Sequence, residues 1–300
     1  FVTREDRIVA ARVRDEVGAV AFEIAARVYV NAAGPWVEQV SALTPYDAST
    51  SRLSPTKGIH LVVPRLTQQH AIAFQARSDG RILFVVPWGD YSLIGTTDTD
   101  YDGDPGRVHA DHADVEYLLA EVRTLFPESP LSESDVVTTF AGVRPLLASN
   151  VASPSARSRE HRIVRQGRNL LSIVGGKYTT YRVIAEQTVD AAYRLLNTTV
   201  KPCRTAEVPL PNRRPAPTGE KISDAPEVHI GDIVHACEHE MAVTLGDVMR
   251  RRTSLALSHS GGPEMALLVA SLMAPLMNWN AEEERAQFNR YVEEWKQSLP

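Results

Sequence analysis

A turn that could bind an anion lies within the segment LSIVGGKYTTYRVI, residues 171–184. Apolar residues before the turn predict a short buried strand, and Gly175-Gly176 predict a tight exit from it. Thr179 or Thr180 can then cap a helix. Unpaired N–H groups and the dipole at a helix start favour phosphate, carboxylate or an oxyanion, and Lys177 adds positive charge. Taken alone, the segment favours a plain junction between a strand and a helix.

Four further residues could together form a site for a phosphorylated substrate: His60, Arg144, Arg159 and Lys177. Arg144 directly precedes a proline at the end of a predicted strand, where a large cation points into whatever the sheet covers. Arginine binds phosphate through two parallel hydrogen bonds, so fixed cations around one histidine would suit such a substrate. Each residue alone is also explained as a solvated or structural side chain. Their spacing in the sequence does not show that they meet.

Two patterns resemble metal sites, but each lacks a required ligand. Residues 98–103, DTDYDG, begin like a calcium loop, yet the twelfth position is His109, where a bidentate Glu is required. His235, Cys237 and His239 follow helical spacing, so only the two histidines share a face, and no convincing third ligand follows. We therefore predict no metal site.

Strands and one helix must position the candidate residues. Alternating or apolar runs predict strands at residues 8–14, 20–24, 26–30, 59–63, 81–87, 91–96, 138–143, 162–165 and 170–174. Asp111 can cap a helix that ends before Pro127. Pro35 fits the first turn of a short helix after residues 31–34. The middle of the chain is therefore expected to form a mostly antiparallel sheet with one covering helix.

The last third of the chain is predicted to be helical. Residues 149–158 are rich in small residues and contain a proline, which suits a crossing between domains, and residues 198–219 contain five prolines, as a linker does. Beyond them, helical periodicity covers residues 230–249, 263–277 and 281–298.

Composition excludes several classes of protein. The 300 residues are 43% hydrophobic and carry a net charge of −5, with no basic run interleaved with aromatics, so nucleic acid is not an expected partner. Apolar runs are too short to span a bilayer, and two cysteines fit a reducing compartment. We expect a cytoplasmic protein, with contact to the inner face of the cell membrane left open. The chain opens at Phe1 as if in mid-domain, so we expect a piece of a longer protein.

Several motifs occur in a specific order along the chain: NAAGPW (31–36), TKGIHLVVP (56–64), VPWGDYSLIGTTDTDYDGDP (86–105), AGVRPL (141–146), GGKYTTYR (175–182) and EHEMAVTLGDVMRRRT (238–253). This series resembles the FAD-dependent, quinone-linked glycerol-3-phosphate dehydrogenases over nearly the whole chain. Any one motif is weak, whereas the GTTDT, GVRPL and GGKYTTYR group is specific.

The resemblance implies roles for the cofactor residues. Ala33, Gly34 and Trp36 would form an FAD-side turn, and Gly176, Lys177, Tyr178 and Thr179 would lie at the flavin ring. The helix start would then face the carbonyl edge of the flavin, which becomes anionic on reduction. The anion preference inferred from the turn alone agrees with this role.

The resemblance also implies roles at the substrate. His60 is the candidate general base, since an ordinary histidine pKa of about 6.5 suits proton uptake near neutrality. Arg144, Arg159 and Lys177 would bind the substrate, and Arg144 could share the catalytic role with His60. The division of work between the two arginines stays open.

The family begins with a G-x-G-x-x-G turn that binds the ADP half of FAD, and no such motif occurs in these 300 residues. We therefore expect this chain alone to bind FAD weakly or not at all. The predicted fold class is α+β. It comprises part of a FAD-binding α/β domain (1–54 and 151–207), a substrate-binding sheet (55–150) and a C-terminal all-helical domain (208–300).

The predicted reaction is oxidation of sn-glycerol 3-phosphate to dihydroxyacetone phosphate, with FAD as cofactor and quinone as electron acceptor. A glycerophosphate oxidase that uses oxygen is one alternative. A flavin-free binding or interaction module is another. The sequence does not decide between a monomer and a homodimer.

Overall fold

The computed structural model describes residues 1–47, 49–128, 130–148, 158–209, 216 and 218–300. Its strands are β1 (Val2–Arg4), β2 (Arg7–Arg14), β3 (Ala21–Ile24), β4 (Tyr29–Asn31), β5 (Thr56–Pro64), β6 (Ile72–Gln75), β7 (Ile82–Trp88), β8 (Tyr91–Gly95), β9 (Thr99–Asp100), β10 (Thr138–Arg144), β11 (His161–Gln166), β12 (Leu170–Gly175), β13 (Lys221–Asp224) and β14 (Glu227–His229). Its α-helices are α1 (Val37–Ala42), α2 (His112–Leu125), α3 (Tyr181–Leu195), α4 (Ile230–His239), α5 (Pro263–Met277) and α6 (Ala281–Lys296). The predicted mixture of antiparallel strands and C-terminal helices is confirmed.

The chain divides into two units. The first consists of the described residues in Phe1–Lys57, Asp98–Val108 and Val143–Asn212. The second consists of those in Gly58–Thr97, His109–Gly142 and Arg213–Pro300. Most of the predicted domain crossing, residues 149–157, lies outside the described residues, as do residues 210–215 and 217 of the predicted linker.

The first unit is built on two small sheets. Strands β1, β2 and β3 form an antiparallel meander, and β12 pairs antiparallel with β11 and parallel with β4. The predicted hairpin at residues 162–174 is therefore confirmed. Strand β4 begins at Tyr29 rather than at Ala26, because the Tyr29 hydroxyl accepts from the Ala26 N–H and donates to the Ile24 carbonyl, each at 3.0 Å. These bonds close a loop where the sequence pattern predicts a strand.

The second unit contains the predicted antiparallel sheet, with strand order β10-β5-β8-β7-β6. Ile59, Leu61 and Val63 of β5 are fully buried in one core with α2. Asp111 caps α2 as predicted, since its carboxylate accepts from the N–H of Asp114 at 3.0 Å. The intervening His60 therefore lies on the opposite face of the sheet.

The C-terminal helices belong to the same unit as this sheet. Helices α4, α5 and α6 surround a shared core, and the Thr139 N–H of β10 donates to the Ser298 carbonyl at 2.6 Å. No helix in the described part of the chain is long and apolar enough to cross a membrane.

The predicted continuous helix over residues 230–249 is wrong. Helix α4 ends at His239, and Met241 adopts a φ of +55°. A separate π-helical segment, Asp247–Arg252, follows, because the Asp247 carboxylate accepts from the N–H groups of Val243 and Thr244 and starts a new helical segment. Helical periodicity alone does not reveal such a break.

Candidate functional site

The two predicted cofactor segments meet at one edge of a parallel strand pair. Residues 31 and 172 are partners in the register between β4 and β12, so both strands end at the same edge. Ala33 and the turn Gly34–Trp36 follow the first strand, and Gly176 to Thr179 follow the second. Ligands of α/β sheets bind outside the carboxyl ends of the parallel strands. Both segments therefore follow the carboxyl ends of neighbouring parallel strands, and their binding of a cofactor stays a prediction.

A buried polar network fixes this edge. The Asn31 amide donates to the Val37 carbonyl at 2.9 Å and lies 3.2 Å from the Ser41 hydroxyl. Ser41 and Ser172 each donate to the amide oxygen of Gln166, at 3.1 and 2.6 Å. Leaving one such buried group unpaired costs roughly 1–3 kcal/mol. The network therefore holds the end of β4, the start of α1 and the middle of β12 in one arrangement.

The two glycines after β12 are required by the backbone. Gly175 and Gly176 have φ values of +79° and +105°, which side chains rarely adopt. A Cβ on Gly175 would lie 2.5 Å from the Glu160 carbonyl oxygen, and one on Gly176 would lie 2.9 Å from Ile184. The sequence prediction of a tight turn is confirmed, and its cause is close packing as well as backbone conformation.

The segment after the glycines is exposed and begins a helix. Lys177, Tyr178 and Thr179 are all exposed, with Tyr178 88% accessible. The turn Tyr178–Thr180 leads into α3. The predicted threonine cap is wrong, because neither the turn Tyr178–Thr180 nor α3 begins with a side-chain cap. The Thr180 hydroxyl donates instead to the Lys177 carbonyl at 3.1 Å. This leaves the N–H groups of the turn without a side-chain acceptor, which suits a bound acceptor.

Arg144 and Arg159 converge on one buried carboxylate. Nη1 of Arg144 donates to Oδ1 of Asp98 at 3.2 Å, and Nη2 of Arg159 lies 3.8 Å from Oδ2. Asp98 is only 7% exposed, whereas the two arginine side chains are 24% and 50% exposed. Two guanidinium groups thus lie beside one carboxylate at a partly buried position.

His60 lies in the second unit and is confined on two sides. Its half-buried imidazole stacks on Phe140 with ring centroids 4.9 Å apart and planes 12° from parallel. Gly95 is its partner across β5 and β8, and a Cβ at Gly95 would lie 2.2 Å from Cδ2 of the imidazole. Arg144, Arg159 and Lys177 belong to the first unit. That these four residues share one cavity stays a prediction.

Sequence reasoning missed the residues that hold the candidate groups. The sequence pattern presents Asp98 only as part of an incomplete calcium loop, although its position three residues after Gly95 in the GTTDT motif marks it as part of the same segment. Ser172 interrupts an otherwise apolar strand, and that interruption is the available signal for the buried network.

The histidines of α4 make local contacts. The rings of His235 and His239 lie 5.0 Å apart, and Nε2 of His235 lies 3.7 Å from the Glu240 carboxylate. Within the described ranges, no group of three His, Cys, Asp or Glu side chains is arranged to hold a metal ion.

Comparison with known proteins assigns the fold and the family. Residues 2–182 match the family of FAD dependent oxidoreductases, a class of flavoproteins. The chain belongs to this family, which confirms the resemblance and the cofactor class inferred from the motifs. Residues 199–284 match the C-terminal domain of alpha-glycerophosphate oxidase.

Individual relatives are glycerol-3-phosphate dehydrogenases. The enzyme of Mycobacterium leprae is 31% identical over 96% of this chain and 57% of its own length. The aerobic enzyme of Escherichia coli is 43% identical over 55% of this chain and 34% of its own length. The crystal structure of the Bacillus halodurans glycerol-3-phosphate dehydrogenase complexed with FAD superposes with a TM-score of 0.80 at 26% identity, covering 100% of this chain and 68% of that one. The chain thus spans little more than half of the Mycobacterium leprae protein.

Proposed function

We propose that the chain carries the flavin-side and substrate-side residues of an enzyme that oxidises sn-glycerol 3-phosphate to dihydroxyacetone phosphate. The observation that carries this proposal is the cluster of Arg144, Arg159 and Asp98. Two guanidinium groups that are partly removed from water favour an anion, and arginine forks suit phosphate. The match of the C-terminal region to a glycerophosphate oxidase domain supports the same substrate.

The residues around the glycine turn fit a flavin. The positive φ angles of Gly175 and Gly176 let the backbone turn closely, and the uncapped helix start supplies N–H donors. Ala33, Gly34 and Trp36 would hold the group from the neighbouring turn, and Gly176, Lys177, Tyr178 and Thr179 from this one. When bound, FAD supplies the two-electron oxidant. The helix start and Lys177 would stabilise negative charge at its carbonyl edge.

His60 is proposed as the general base. Oxidation of the secondary alcohol removes a hydride from carbon and a proton from the hydroxyl oxygen, and the imidazole would accept that proton. Arg144, Arg159 and Lys177 would bind the phosphate. Arg144, which donates a hydrogen bond to Asp98, could in addition share the catalytic role with His60.

Quinone is the proposed electron acceptor, with the protein contacting the cytoplasmic face of the membrane peripherally. Oxygen is the second candidate, because residues 199–284 match a domain named for an oxidase. The substrate-reduced protein is mixed rapidly with either a soluble quinone or oxygen, and the rate of flavin reoxidation is measured. The two rates distinguish the two acceptors. Faster reoxidation by oxygen would exclude the quinone assignment.

The reaction itself is tested anaerobically. The 300-residue chain is mixed with excess FAD, since the missing G-x-G-x-x-G motif predicts weak retention, and the flavin absorbance is followed after adding glycerol 3-phosphate. We expect bleaching with glycerol 3-phosphate, much slower bleaching with glycerol, and strong impairment in His60→Gln. If the 300-residue chain binds no FAD, the full-length protein decides: a full-length protein that never acquires flavin absorbance would support the flavin-free binding module. Flavin that is bound but not reduced by the substrate would refute the proposed reaction.

A further inference from the structure

We infer that Gly95 and Phe140 are positioning residues that clamp the His60 imidazole between them. The inference rests on the proposed role of His60 for its functional consequence, but the clamp itself follows from geometry. Phe140 supplies one wall, since the two rings are stacked at 4.9 Å. Gly95 supplies the other, because the imidazole occupies the space that a side chain at this position would fill.

The contact at Gly95 leaves no room for a single methyl group. A Cβ there would lie 2.2, 2.6 and 2.8 Å from Cδ2, Nε2 and Cγ of His60, whereas ordinary contacts begin near 3.4 Å. The φ of Gly95 lies outside the left-handed region, so the backbone does not require glycine. The requirement is therefore steric and specific to the imidazole.

The His60 imidazole cannot move away from such a methyl group and still keep its stacked position. Phe140 blocks movement away from Gly95, because β10 and β8 flank β5 on opposite sides and the Phe140 ring is stacked on the imidazole at 4.9 Å. Gly95 and Phe140 both lie on strands. Gly95 on β8 pairs with His60 on β5 and with Phe84 on β7. Phe140 lies on β10, which is the neighbour of β5 in the sheet. An added methyl group must rotate the imidazole out of the gap.

A fixed ring matters for a general base, because proton transfer requires hydrogen-bond reach and alignment. Displacing a reacting group by about 1 Å costs roughly 10²-fold in rate. The clamp thus gives the histidine one orientation before the substrate arrives.

The test measures the chemical shifts of the His60 ring protons by NMR of the 300-residue chain with labelled histidine. His60→Gln assigns the His60 ring signals among the nine histidines. In the wild type we expect its ring protons to be shielded by Phe140. In Gly95→Ala they should move to the positions of a solvent-exposed histidine. Gly246→Ala is the matched control, since Gly246 has a helical φ of −62° and its nearest atoms lie 3.7 Å or more from an added Cβ.

Unchanged His60 signals in a folded Gly95→Ala protein would overturn the clamp. If Gly95→Ala does not fold, Phe140→Leu decides, because it removes the stacking wall without inserting an atom. That variant should lose the shielding, and retained shielding would equally overturn the inference.

The functional consequence is measured in the protein supplied with FAD. Gly95→Ala should lower kcat for glycerol 3-phosphate about 10- to 100-fold with little change in KM, because the phosphate-binding arginines are untouched. If the NMR signals move while neither Gly95→Ala nor His60→Gln changes kcat, the clamp stands and the assignment of His60 as the base fails. The two ideas are thereby tested separately.

Discussion

Removing Arg144 or Arg159 should have similar effects on phosphate recognition but different effects on stability. Arg144 donates a hydrogen bond to the buried Asp98 carboxylate at 3.2 Å, whereas Arg159 is 50% exposed and lies 3.8 Å away. A charged hydrogen bond contributes about 1.5–3 kcal/mol, and partial exposure of Arg144 reduces this, so Arg144→Ala should cost about 2 kcal/mol of unfolding free energy. Arg159→Ala should cost about 0.5 kcal/mol or less.

Urea denaturation followed by circular dichroism measures these stabilities. The double variant Asp98→Ala/Arg144→Ala should recover part of the loss, because the buried carboxylate is then removed together with its cationic donor. Arg12→Ala is the control, since its pair with Glu23 is short, at 2.9 Å, but exposed, and should contribute almost nothing. Equal destabilisation by Arg144→Ala and Arg159→Ala would refute the reasoning.

The same two variants test the substrate assignment. Each lost arginine should lower kcat/KM for glycerol 3-phosphate about tenfold or more, since about 1.4 kcal/mol corresponds to a factor of ten. Glycerol lacks the phosphate and should be affected far less. Equal losses on both substrates would remove phosphate recognition from these residues.

Two further predictions concern the C-terminal helices and the glycine turn. Burial raises the pKa of Asp247, but hydrogen bonds from Arg251 and Thr244 outweigh it and lower the pKa from 3.8 to about 2. The ionised carboxylate should therefore stabilise the fold by about 2–3 kcal/mol above pH 4, an amount lost as the pH falls toward 2. Urea unfolding measures the unfolding free energies of wild type and Asp247→Asn from about pH 6 to 2. The two values should converge at acid pH. A difference that stays constant with pH would contradict this. Gly175→Ala places a Cβ 2.5 Å from the Glu160 carbonyl oxygen at a φ of +79°, so urea unfolding should show a loss of about 1–3 kcal/mol. The same change should abolish FAD binding by the full-length protein, as measured by flavin absorbance. An unperturbed FAD titration would count against the proposed cofactor turn.

The sequence by itself determined the local elements and the family. Period-two alternation identified β5 and its buried face, because side chains alternate across a strand wherever one face is buried. Asp111 predicted the start of α2, since a helix cap depends only on residues three positions apart. The motif order was sufficient to indicate a flavin-dependent enzyme, and the family match over residues 2–182 confirms it.

Local patterns failed where other hydrogen bonds compete with them. Residues 230–249 keep a helical period, yet the helix breaks because Arg252 binds the Glu240 carbonyl at 2.7 Å and Asp247 starts a new segment. Thr180 stands at a position typical of a cap, but its hydroxyl finds an acceptor in the Lys177 carbonyl.

Only the tertiary structure decided how the candidate groups are held. Asp98 lies 46 residues from Arg144 in the sequence, and no local pattern records that its carboxylate accepts from that guanidinium. In the sequence, nothing distinguishes Gly95 from the other sixteen glycines. The register between β5 and β8 shows that it is the cross-strand partner of His60. The physical reason is that pairing across a sheet and burial of charge depend on which strands become neighbours, and that choice is made by the core as a whole.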